Sequence, residues 1–127
     1  MSTKRILATD NALILIDFLK SEFGELIFHQ SGGCCDGSSP MCFLKSEFKI
    51  GYSDVCIGQV DGIDFWMARD QFDYWQHTQL TLDVVPGRGS SFSLEIPYGQ
   101  RFLIRSRLFT ESEARNLEAL KFLDNQA

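Results

Sequence analysis

The sequence predicts an α+β fold: a single compact domain with a bent, mostly antiparallel or mixed β-sheet, sandwich-like, and a helix near each end. Three observations predict it. Apolar residues recur at helical spacing between Ala12 and Phe23. Short alternating or turn-bounded segments follow between Glu25 and Ile104. A capping box then opens a second helical pattern at Thr110. The chain has 127 residues, which suits one core, so 1–127 reads as one domain.

The first eight residues carry few order signals beyond Ile6 and Leu7. Thr9 or Asp10 can cap a helix starting near Asn11, because their side-chain oxygens satisfy free amides of the first turn. Ala12, Leu15, Ile16, Leu19 and Phe23 share one helical face. Leu13, Ile14 and Phe18 widen it, which predicts a well-buried helix ending at Gly24. Glu25 to Gln30 reads as a strand and Ser31 to Pro40 as a loop. Met41 to Ile50 contains a further strand.

Val55 to Val60 and Ile63 to Ala68 form a hairpin about Asp61-Gly62, a pair suited to left-handed turn positions. Arg69 to His77 reads either as a helical turn or as a loop. Leu80, Leu82 and Val84 alternate as in a half-buried strand. Phe92, Leu94 and Ile96 alternate with Ser91, Ser93 and Glu95, the clearest strand pattern in the chain. Turns at Pro86–Gly89 and Pro97–Gly99 flank it, and Phe102 and Ile104 continue the alternation. Thr110 and Glu113 form the capping box. Leu117, Leu120 and Leu123 give the closing helix an apolar side.

The net charge is −5 and the pI about 4.9. Basic residues are scattered apart from Arg101, Arg105 and Arg107, which suit the wet face of a strand. This balance disfavours a nucleic-acid surface and an anionic membrane surface. No apolar run is long enough to span a bilayer, and no signal-peptide order is present, which predicts a cytoplasmic protein. In that compartment the four cysteines are expected reduced, metal-bound or reactive.

The concentrated chemistry lies in Ser31-Gly32-Gly33-Cys34-Cys35-Asp36-Gly37-Ser38-Ser39-Pro40-Met41-Cys42. Thiolates are soft ligands, and three of them suit zinc, or iron in an iron–sulfur cluster. Cys34, Cys35 and Cys42 are therefore the candidate metal ligands, with His29 as a candidate fourth. A homodimer would help to complete such a site. Cys42 and Cys56 also read as small core hydrophobes, the better account of Cys56. His29 equally reads as a hydrogen-bonded strand residue. The acids nominate no catalytic pair. A thiol enzyme using Cys34 or Cys35, with His29 or His77 as base, is the less favoured alternative.

The cysteine segment, with Gly89-Ser90-Ser91-Phe92-Ser93-Leu94-Glu95-Ile96-Pro97, resembles a small bacterial family without an assigned activity. Its genes often lie beside those of acetaldehyde or alcohol dehydrogenases. The resemblance implies an accessory role in aldehyde or alcohol metabolism, with a dehydrogenase as partner. A second version of that role is a metal-free binding or assembly module for the dehydrogenase. At the level of fold, Ser31 to Cys34 and Gly87 to Phe92 are similar in order to elements of the A-type iron–sulfur carriers. Those carriers have a C-terminal cysteine pair, and no cysteine follows Ile96 here.

Overall fold

The computed structural model describes residues 3–30, 40–87 and 93–122. Its first strand, β1 (Ile6–Ala8), is one the sequence does not announce. Only Ile6 of its three residues is buried, so the segment carries no alternation to read. Helix α1 (Asp10–Phe23) starts where expected: Thr9 Oγ1 accepts from the Ala12 amide at 3.2 Å. It ends at Gly24, whose φ of 87° favours glycine and whose amide donates to the Lys20 carbonyl. Ala12, Ile16 and Leu19 face the core. Ile14, Phe18 and Phe23 remain exposed, so the helix buries a stripe rather than its whole surface.

Strands β2 (Leu26–Gln30), β3 (Met41–Leu44), β4 (Asp54–Val60) and β5 (Ile63–Ala68) follow. Asp61 and Gly62, at φ 52° and 78°, make the left-handed turn that joins β4 to β5. Arg69 to Trp75 resolves to helix α2 (Arg69–Trp75), and β6 (Thr78–Pro86) follows it. Further on come a 3-10 turn at Ile96–Tyr98, β7 (Gln100–Leu108), the one-turn α3 (Glu111–Ala114) and β8 (Lys121–Phe122).

Two sheets result. One has the order β1-β6-β7, with β1 parallel to β6 and β7 antiparallel to it. The other has the order β3-β2-β5-β4-β8, in which only the β2–β5 pairing is parallel. Phe28, Phe65, Met67, Leu80, Leu82 and Phe102 join the buried face of α1 in one core that both sheets share. A smaller cluster of Ile27, Cys56 and Trp66 lies apart from it, packed against Phe43, Phe48 and Ile50.

Two expectations are corrected. Within Ser91–Ile96, the residues from Ser93 onward form turns and the start of the 3-10 turn, and Ser93 and Glu95 are buried. The alternation there reflects inward hydrogen bonding of polar side chains rather than a wet strand face. The closing helix is also short. The capping box forms in full, but the helix stops at Ala114, and Leu117 forms an isolated parallel bridge with Thr3. Pairing with the rest of the molecule outweighs the apolar spacing that favoured continued helix.

Candidate functional site

Strand β2 carries the chain to the cysteine segment, and β3 receives it. Side chains alternate across β2. Phe28 therefore faces the main core, while Ile27 lies in the second cluster. His29 falls on the Ile27 face, and Gln30, fully buried, on the Phe28 face. Cys42 sits directly opposite Phe28 in the antiparallel register, and Met41 opposite His29. Directly paired residues share a face, so Cys42 belongs to the main core and His29 to the other side of the sheet.

Each residue has its own partners. His29 Nε2 lies 3.0 Å from Asp54 Oδ1, and its ring centroid lies 4.8 Å from that of Phe48. Asp54 Oδ2 also accepts from the Gly51 amide at 2.7 Å. The reading of His29 as a partnered strand residue describes this environment. Cys42 is fully buried, and desolvation followed by the nearby Glu95 charge pushes its thiol pKa strongly up. That favours the protonated thiol over the thiolate a metal needs.

Sequence reasoning missed the groups around Cys42. The Cys42 amide donates to Ser93 Oγ at 2.7 Å, and the Leu94 amide donates to the Cys42 carbonyl at 2.9 Å. Ser93 Oγ in turn donates to Glu95 Oε1, while Glu95 Oε2 accepts from the Phe102 amide at 3.2 Å. Glu95 is 1% exposed, and burial raises its pKa against the opposing pull of those bonds. These bonds tie Cys42 of β3 to Ser93, Leu94 and Glu95 and on to Phe102 of β7.

Cys34 and Cys35 lie outside the described residues. Of the four expected ligands, Cys42 and His29 are described, and the sheet separates them rather than bringing them to one point. Among the described residues, no three of His, Cys, Asp and Glu form a group able to hold a metal ion. Cys56 is a core residue, 1% exposed, with Sγ 3.4 Å from the Gly58 carbonyl oxygen. His77 is exposed at the end of α2. Arg105 pairs with Asp83 at 2.8 Å and Arg107 with Glu113 at 2.7 Å, as side chains on a wet strand do. No helix is long and apolar enough to cross a membrane among the described residues.

No curated protein matches the chain. A family profile does match it, over residues 15–108, from the middle of α1 to the last residue of β7. That span takes in both segments that bear the Gly, Ser and Cys motifs, and most of the core. The chain belongs to the DUF779 family, described as a domain of unknown function.

Proposed function

We propose that the chain is a cytoplasmic accessory protein of aldehyde or alcohol metabolism that holds zinc or iron through thiolates, rather than an independent catalyst. Cys34 and Cys35 are the principal ligands, with Cys42 as the third. One observation carries the reading: the segment bearing three thiols rejoins the sheet at a buried polar knot of Cys42, Ser93 and Glu95. A core built only to exclude water would not need a buried carboxylate there. An incoming metal would have to displace the Cys42 proton, which burial and Glu95 oppose. Cys42 is therefore the weaker donor, and His29, across the sheet, lies outside the ligand set.

The test is anaerobic purification without a metal-affinity tag, followed by metal analysis and an absorption spectrum. Near-stoichiometric zinc or iron is expected. Cys34→Ser or Cys35→Ser should lower occupancy about tenfold or more, because each removes a ligand that drives binding. Cys42→Ser should lower it less, and His29→Gln should leave it unchanged. Metal-free wild-type protein with free thiols would sink the proposal.

A second reading, a metal-free module that docks a dehydrogenase, draws on the exposed face of α1. Ile14 is 68% exposed, and it borders an open cleft of about 540 Å³ with Phe18, Val84 and Pro86. Phe18 also meets Tyr98 edge-on at 5.0 Å. The same purification separates the readings, since this one expects dehydrogenase to co-elute with metal-free chain.

A further inference from the structure

Strand β7 has one paired side and one open side. Its odd-numbered residues bond to β6, a ladder that the Phe109 amide continues by donating to the His77 carbonyl. Its even-numbered residues therefore direct their amides and carbonyls away from β6, because the bonding direction alternates along an antiparallel pair. The Phe102 amide follows this rule: it donates to Glu95 Oε2 rather than to β6. Beyond it, the amides and carbonyls of Ile104 and Ser106 meet no partner among the described residues. Elsewhere the fold covers such edges. The Cys42 amide and carbonyl of β3 engage Ser93 and Leu94, and β8 lies along β4. An open edge is a template for one more strand.

The side chains along this edge define what fits it. Arg101, Arg105 and Arg107 are exposed on one face of β7. Asp83 and Glu113 offset Arg105 and Arg107, and Arg101 has no ion pair among the described residues. The strip is thus net positive in a chain whose net charge is −5. On the other face Phe102 and Ile104 join the core, while Leu108 is 73% exposed. Leu108 also borders an open cleft of about 240 Å³ with Phe109, Ala114 and Leu117. A second copy of β7 fits this edge poorly. A two-fold antiparallel pairing centred on Ile104 sets Arg101 against Arg107. One centred on Arg105 sets that residue against itself, and one centred on Ser106 sets Arg105 against Arg107. Like charges directly opposite each other destabilise a strand pair.

We propose that the open edge of β7, from Ile104 to Leu108, binds an extended acidic segment of a partner protein, which adds to the sheet as a strand. The backbone of that segment pairs with the amides and carbonyls of Ile104 and Ser106. Opposed residues share a face, so an Asp or Glu at every second position meets the arginines. The alternate positions lie over Ser106 and Leu108, where an apolar side chain reaches the cleft. Main-chain bonds supply the attachment, and the charge and the cleft select the sequence.

The experiment uses the whole chain and two labelled peptides, one of alternating glutamate and valine, the other of alternating lysine and valine. Fluorescence anisotropy should show saturable binding of the glutamate peptide, weakened by salt, and binding of the lysine peptide weaker by about tenfold or more. With the glutamate peptide bound, hydrogen exchange at the Ile104 and Ser106 amides should slow by about tenfold or more. The Leu103 and Arg105 amides, already bonded to β6, should not change. Ser106→Pro removes an outward amide that the fold does not use. Its unfolding midpoint should hold while its affinity for the peptide falls by about tenfold or more. The exchange reading needs no variant. Absence of saturable binding, equal binding of the two peptides, or unchanged exchange at Ile104 and Ser106 would each overturn the site. A dimer that grows with concentration in sedimentation and is dissolved by Ser106→Pro would give the edge to a second copy, and would overturn it as well.

Discussion

Asp83 is held at three points, and each belongs to a different part of the fold. Its Oδ1 accepts from Thr9 Oγ1 at 2.8 Å and from the Val84 amide at 2.8 Å, and its Oδ2 accepts from Arg105 Nε at 2.8 Å. The Arg105 bond, then those of Thr9 and Val84, hold its carboxyl below the usual 3.8. A carboxyl depressed in the folded state stabilises that state above the ordinary pKa, and the gain is lost as pH falls through the folded value. Asp83→Asn should therefore lower stability at pH 7 by about 1 kcal/mol, a modest figure because the Arg105 side chain is 61% exposed. The gap between variant and wild type should close as pH drops below about 3.8. Unfolding midpoints at pH 7, 5 and 3 check this, and a gap that ignores pH would remove the charge from the explanation. At this same scale, sequence reasoning was unevenly informative about the candidate site. The thiols and His29 were visible as residue types, and Cys56 was correctly read as core. Glu95 was hidden because its alternation with Phe92, Leu94 and Ile96 imitates a wet strand face. What buries it is an amide seven positions away at Phe102, which local pattern does not carry. Asp54 escaped for a similar reason, since its partner His29 comes from a strand distant in sequence.

Gly58 shows how one element fixes the approach of another. It sits at an irregularity in the β4–β5 register, at φ 149°, where β1 crosses close by. A Cβ built there would stand 2.9 Å from Ile6 Cγ2, closer than real contacts allow. Gly58→Ala should thus push β1 and β4 apart and strain the backbone, lowering stability by about 2 kcal/mol. Urea unfolding measures it, and Ile6→Ala in the same chain should recover part of the loss. A Gly58→Ala chain as stable as wild type would show that the strands have room to spare. The elements the sequence announced are those with their own chemistry. Thr9 and Gly24 bound α1, Asp61-Gly62 bounds the hairpin, and Thr110 and Glu113 open α3. Strands β1 and β8 have two or three residues each, so their existence depends on what they pair with. Leu117 and Leu120 misled because helical spacing says nothing about a competing backbone partner such as Thr3, and Leu123 lies outside the described residues.

At the scale of the whole molecule, the segment after α3 pairs first with Thr3 and then forms the edge strand of the larger sheet. The Thr3 amide donates to the Asn116 carbonyl, and the Glu118 amide donates to the Thr3 carbonyl at 2.9 Å. From there the chain runs into β8, whose Phe122 and Lys121 pair with Val55 and Cys56 of β4. Lys121 Nζ also lies 3.7 Å from Asp64 Oδ1. The exposed Lys121 pair contributes little, so the backbone ladder is the main connection. Without β8, the β4 edge would present unpaired amides and carbonyls flanked by buried Val55, Cys56 and Ile57, a template for another chain. A chain ending at Leu120 should therefore lose about 2 kcal/mol, from two or so net hydrogen bonds and the lost packing. It should also associate as concentration rises. A chain ending at Phe122 should do neither, which isolates β8 from the last five residues. Denaturation with light scattering across a concentration series reads both effects. If the chain ending at Leu120 stays monomeric with an unchanged midpoint, β8 is a passive extension, and β4 is a sheet edge that its own twist and neighbours already protect.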